Sequence, residues 1–225
     1  MTLASARPVP ARREPKAKSP NGPTQQSLKS AQTRARLIDA TIRCIVKFGY
    51  ANTTTPQVAA EAGLSRGAML HHFENGSALI KAAIVELHEK RLRAFRRAAE
   101  TNEHETATMV MTYWKQLQKP AFVAFHELAL AARTNADLAR ILQPLQIEFR
   151  QKFNSQAVQL FPEWQGDPVS FDLAMTLSQT MLEGMAVNLL TGAIDEHMVE
   201  PMLRLLEQQI RLMKPAGARD KDQTP

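Results

Sequence analysis

Between Tyr50 and Phe73 the chain sets hydroxyl, guanidinium and imidazole side chains at spacings suited to gripping a DNA groove. Thr53, Thr54 and Thr55 are followed by Gln57, and then by Ser65, Arg66, Gly67, Ala68, Leu70, His71 and His72. Their chemistry is hydrogen bonding and apolar contact, with no bond made or broken. A guanidinium such as Arg66 offers paired donors that match the O6 and N7 acceptors of guanine. His71 can donate to a base or a phosphate, while Ala68 and Leu70 suit thymine methyl groups.

Other chemistries fit less well. Gly63-Leu64-Ser65-Arg66-Gly67 spells the G-x-S-x-G of a serine-hydrolase elbow. That elbow needs a buried strand before its serine, and Val58-Ala59-Ala60-Glu61-Ala62 are helix formers. Asp195 and His197 lie together near a loop and make unconvincing partners, so an enzyme is not expected. His71 and His72 are adjacent, which on a helix points them about 100° apart and disfavours a shared metal. No metal or cofactor is expected. Cys44, the single cysteine, falls among Ile42, Ile45 and Val46 and reads as a small buried hydrophobe.

The groove-reading side chains need two short helices to hold them. Thr53–Thr55 are capping residues, and Pro56 suits a first helical turn, where its missing N–H costs nothing. Val58, Ala59 and Ala62 form one apolar face, and Gly63 sits where a helix end commonly needs a left-handed residue. Ser65 caps the second helix, completing a helix-turn-helix whose N-terminal side chains face the bases. A preceding helix from about Ala31, carrying Leu37, Ile38, Ile42, Ile45 and Phe48, braces the pair. A long helix follows from about Ser77 to Ala99, its basic end Lys90–Arg97 reading as a solvated face near DNA.

These residues resemble a known family. Lys47-Phe48-Gly49-Tyr50, Thr53-Thr54, Val58-Ala59, Ala62-Gly63-Leu64-Ser65, Gly67 and His72-Phe73 are similar to the N-terminal DNA-binding domain of TetR-type repressors, over roughly residues 31–90. The resemblance implies phosphate or near-groove contacts for Thr53, Thr54 and His72, and a C-terminal half that binds a small inducer. Two positions depart from it. Leu70 stands where many members carry tyrosine, and Gly76 where many carry lysine, so two phosphate contacts are missing.

Charge agrees with the motif. Residues 1–100 hold 17 Lys+Arg and 7 Asp+Glu, a net of +10, while residues 101–225 hold 11 and 15, a net of −4. Phosphate neutralisation needs positive charge in the half that carries the reading helix. No run approaches 18 apolar residues and the basic N-terminus has no apolar core, so a membrane span and a secretory signal are not expected, and a cytoplasmic protein is. Residues 1–30 read as a disordered basic, proline-rich tail whose cations could graze DNA.

Beyond residue 100 only helical patterns appear, at roughly 104–118, 120–133, 136–159, 168–191 and 196–213, with Pro144 expected to kink or split its helix. Met109, Tyr113, Trp114, Phe122, Phe125, His126, Met181 and Met185 are candidates to line an apolar ligand pocket, although the same spacing suits core residues. His126, Glu127, Glu183 or Asn188 would supply polar handles. Helices 168–191 and 196–213 are expected to form the dimer interface. Ala174, Gly184 and Ala186 would allow close approach, and Met198, Met202, Leu205, Leu206, Ile210 and Met213 would form the apolar side.

The expected architecture is all-α. A helix-turn-helix DNA-binding domain spans 31–91 (motif about 54–73), a helical ligand-binding and dimerisation domain spans 92–214, and a second disordered tail covers 215–225. The expected function is a homodimeric regulator, acting as a repressor on an inverted-repeat operator of double-stranded DNA and released by a small-molecule effector. A ligand-independent DNA-binding protein, acting in chromosome organisation or through a protein partner, is the alternative.

Overall fold

Capping residues decide where the helices begin. In the computed structural model, which describes residues 24–100 and 106–215, Thr24 accepts from the Ser27 N–H and opens α1 (Gln25–Phe48). The helix therefore starts before the expected Ala31, because a hydroxyl cap outweighs the absence of an apolar face over its first turns. Lys29 lies on this helix, while the other basic residues of the expected tail, and most of the expected C-terminal tail, lie outside the described residues.

Thr54 opens α2 (Thr55–Glu61) with a reciprocal capping box to Gln57, and Pro56 sits in its first turn. Gly63, at φ +63°, makes the corner, where a β-carbon would be strained. Ser65 caps α3 (Arg66–His72) by accepting from the Ala68 N–H at 3.1 Å. Asn75 then caps α4 (Gly76–Glu100) at the Ala78 N–H.

The remaining helices are α5 (Thr106–Leu117), α6 (Pro120–Ala132), α7 (Ala136–Leu160), α8 (Pro168–Leu190) and α9 (Val199–Met213). Short 3-10 turns at Pro162–Trp164 and Glu196–Met198 lead into the last two. Among the described residues there is no strand, and no helix is long and apolar enough to cross a membrane. Pro144 does not split α7, one of the two outcomes expected of it. Pro144 and Arg140 are both exposed, so water can satisfy the carbonyl that the missing N–H would have met.

Two opposite faces of α1 and α4 join the halves of the molecule. Leu37, Ala40 and Cys44 of α1 pack with Val58, Ala59, Met69, Phe73 and Leu79 beneath the reading motif. Ile42 and Ile45, with Ala83, Ile84 and Leu87 of α4, pack instead against Ala124, Phe125 and Leu128 of α6 and Leu138 and Leu142 of α7. Each fully buried Leu or Ile in such a seam contributes about 1.5–3 kcal/mol. The bracing helix α1 thus contacts α6 as well as the motif, a pairing that its periodicity alone does not reveal. Cys44 is buried here as expected, and burial pushes its thiol upward, with the Glu61 charge adding to the effect.

Candidate functional site

Helix α3 turns Met69 inward, fully buried, and leaves Arg66, Gly67, Leu70 and His71 exposed. Ala68 and His72 are half-buried on its flanks. Leu70 is 44% exposed, an apolar surface on a helix otherwise lined by polar groups and glycine. The His71 and His72 rings meet edge-on, with centroids 5.5 Å apart, and the Ser65 hydroxyl is engaged in capping. Three arginines of α1 fasten the motif from behind. Arg34 donates to the His72 carbonyl and lies over the Phe73 ring, Arg36 donates to the Ala62 carbonyl, and Arg43 pairs with Glu61.

The threonines divide by what they donate to. Thr53 gives its hydroxyl proton to the Gly49 carbonyl at 2.7 Å, and Thr54 gives its own to Gln57 Oε1 at 2.8 Å. A phosphate accepts only, so either contact would require breaking a local bond. Gln57 keeps its amide N–H groups available and Ser65 keeps its proton. Thr55 is half-buried, with its methyl facing Gly76.

Behind the motif lies a cavity of 630 Å³, bounded by α4, α5, α6, α8 and the C-terminal end of α7. Met109, Tyr113, Phe122 and Phe125 line it, as their residue types suggest. Trp114, His126, Met181 and Met185 do not. Trp114 and Met185 are buried in the core between α5, α8 and α9, and Met181 packs against that core. His126 lies behind the wall, its ring 4.0 Å from Phe122 and its Nε2 3.6 Å from Glu183 Oε2. Sequence reading missed Arg91 and Phe95 of α4, Phe153 of α7, Phe161, Trp164 and Phe171. Aromatic content was the only signal of the last five, and a core phenylalanine carries the same one.

Arg91 does not lie on a solvated face near DNA. Its guanidinium reaches Glu183 Oε1 at 2.8 Å, and the Tyr113 hydroxyl donates to the same oxygen at 2.8 Å. Burial raises the Tyr113 phenol well above its ordinary value, so it stays a donor. In the same basic run, Lys90 pairs with Asp39 and Arg93 with Glu86. Glu127, expected to serve a ligand, instead accepts the Tyr50 N–H at 2.8 Å, tying α6 to the segment that enters α2. Asn188 is exposed, and its carbonyl accepts from Ala193 in the turn after α8.

Residues 37–83 match the model for bacterial regulatory proteins of the tetR family. The N-terminal part of the chain is a DNA-binding domain of the TetR family. Regulators of this family are non-enzymatic DNA-binding proteins. Over 103 residues the chain is 36% identical to the HTH-type transcriptional regulator TtgR of Pseudomonas putida, a match that spans 46% of each protein, about half the relative's length. Over 202 residues it is 23% identical to the HTH-type transcriptional repressor AcnR of Corynebacterium diphtheriae, covering 86% of this chain and all of that one. Its fold is similar to that of the multidrug binding protein EbrR, solved in complex with imidazole, with a TM-score of 0.57 at 19% identity over 82% of this chain and 91% of the other.

Against the TetR pattern, Gly76 is sterically informative. A β-carbon there would meet the Thr55 methyl at 3.3 Å, so a larger residue asks that side chain to yield slightly. The helices expected to pair with a second copy also look different in detail. Ala174 and Ala186 are buried within the protomer, as are Leu203 and Leu206, and Met202 and Ile210 pack against the same core. The large apolar side chains left outside are Val169, Leu173 and Leu190 on α8, and Leu205 and Leu212 on α9 with Met198 just before it.

Proposed function

We propose that this protein is a dimeric transcriptional repressor of the TetR family, released from an inverted-repeat operator when a small, largely apolar molecule fills the cavity. The observation that carries the reading is the sharing of α4 between two sites. Its first turns lie under α3, and Arg91 and Phe95, further along, form cavity wall. A ligand that moves this wall therefore acts on the support of the reading helix. The Glu127–Tyr50 bond adds a second mechanical link through α6.

In the DNA complex, Arg66 reads a guanine, Leu70 and Ala68 meet thymine methyls, and His71 with Gly67 lies against the groove. Gln57, Ser65, Thr55 and His72 serve the backbone, joined by Thr53 and Thr54 where a phosphate displaces their local bonds. Two protomers set their α3 helices about 34–36 Å apart, one turn of DNA. Ligand favours a spacing that no longer fits, with a coupling of about 1–3 kcal/mol. AcnR is named a repressor and EbrR a multidrug binding protein, which supports both halves of the proposal. The site of action is the cytoplasm, beside the chromosome.

The test is selection of bound genomic fragments by the purified protein at moderate salt. A shared inverted repeat is the expected result. Fragments with no common sequence would favour the ligand-independent DNA-binding alternative, against which the cavity now weighs.

A further inference from the structure

The walls of the cavity are strongly one-sided in charge. Six cationic residues, Lys90, Arg91, Arg93, Arg97, Lys119 and Lys214, border it, against one carboxylate, Glu163. Four of the six come from the basic N-terminal part of the chain, and Lys119 and Lys214 join them from residues 101–225, whose net charge is −4. Three of the cations are neutralised by acidic partners from outside the wall: Lys90 by Asp39, Arg91 by Glu183 and Arg93 by Glu86. Arg97 and Lys119 are different. Both are exposed, and neither side chain has a hydrogen-bond or ion-pair partner among the described residues. They border a cavity whose interior is aromatic, so two uncompensated cations stand beside an apolar chamber.

We infer that the effector is an amphipathic organic anion, an aromatic or aliphatic body carrying a carboxylate or sulfonate. The body lies against Phe95, Phe153, Phe161 and Phe171. The anionic group pairs with one of these two cations, Arg97 or Lys119. A cationic ligand is disfavoured, because Glu163 is a single lining carboxylate against six lining cations, and Glu183 outside the wall is already held by Arg91 and Tyr113. A wholly neutral ligand would leave the two cations with nothing to do. A charge-assisted contact at the rim, where water competes, adds specificity more than affinity. This inference rests on the reading of the cavity as the effector site and adds the chemical class of its occupant.

Two dyes of nearly the same shape test it on the full-length protein. One is 8-anilinonaphthalene-1-sulfonate, and the other is N-phenyl-1-naphthylamine, which lacks the sulfonate. Fluorescence titration should show the anionic dye binding roughly tenfold tighter. The Arg97→Gln/Lys119→Gln variant should bring the two affinities within about threefold of each other. It should do so by weakening the sulfonate alone, with circular dichroism unchanged, since both side chains are exposed. Ser178→Phe, which fills the cavity from α8, should abolish binding of both dyes. Equal affinity of the two dyes in the unmutated protein, with Ser178→Phe blocking both, would overturn the anion inference while leaving the cavity intact as a ligand site. Failure of both dyes to bind, or binding that survives Ser178→Phe, would overturn the cavity reading and this inference with it.

Discussion

Arg66 is the sole guanidinium or ammonium on α3, and it is exposed at the first position of that helix. Replacing it with alanine should cost about 1–3 kcal/mol of operator binding and relax the preference at one base pair in each half-site. Fluorescence anisotropy on single-substitution operators measures this. An equal loss on every operator would reassign Arg66 to a phosphate. The thermal midpoint should not move, because the side chain buries nothing. His88 makes the opposite kind of prediction. It is buried at 5% exposure on α4, stacked on Phe149 at 4.6 Å and bonded to Gln146 at 3.1 Å. Burial, helped by the nearby Arg91 charge, lowers its pKa to about 4 from 6.5. The unfolded chain then binds the proton more readily than the folded one between these values. The contribution is complete above about pH 6.5 and falls away as pH drops through 4, about 3 kcal/mol in all, of which about 2 kcal/mol is gone by pH 5. Urea unfolding at pH 7.5 and pH 5 should show the loss, and His88→Gln should shrink it.

At the scale of elements, the α6–α1 contact is the arrangement most worth testing. The Glu127 carboxylate takes the half-buried Tyr50 N–H, next to Gly49 at φ +75°. Glu127→Ala leaves that N–H without its acceptor, at a cost of about 1–3 kcal/mol. Hydrogen exchange at the Tyr50 amide should accelerate more than at the centre of α1, and an unchanged rate would show that the bond does not hold the junction. Local signals placed most helix ends well. Thr54 with Gln57, Gly63, Ser65 and Asn75 act through bonds within a few residues, and such bonds are written in local order. The same locality explains the late start read for α1 and the unbroken helix at Pro144. Thr24 caps a turn with no apolar stripe to advertise it, and Pro144 is tolerated because its exposed neighbourhood can supply water.

For the whole molecule, the question is which apolar surface is left to find a second copy. Leu205 and Leu212 lie two helical turns apart on α9 at 50% and 57% exposure, with Val169 and Leu173 exposed on α8, which packs beside it. A Leu205→Glu/Leu212→Glu variant should sediment as a folded monomer with operator affinity reduced at least tenfold, because two linked half-sites no longer act together. Leu206→Glu, by contrast, should fail to fold, since that side chain is fully buried within the protomer. A double variant that remained dimeric would place the interface elsewhere.

The division between sequence and tertiary structure follows the range of the forces. The all-α class, the helix-turn-helix and the outward face of α3 were legible from order alone. Caps, left-handed glycines and the 3.6-residue period act between residues that are neighbours along one helix. Only folding decided that Phe122 and Phe125 face a cavity while Trp114 and Met185 face a core. The same holds for the turn of Arg91 inward to Glu183 and for the split of the apolar residues of α9 between Leu206 inside and Leu205 outside. Each of these choices depends on which distant helix arrives opposite. Apolar burial is non-directional, so a hydrophobic side chain carries no label for its eventual partner.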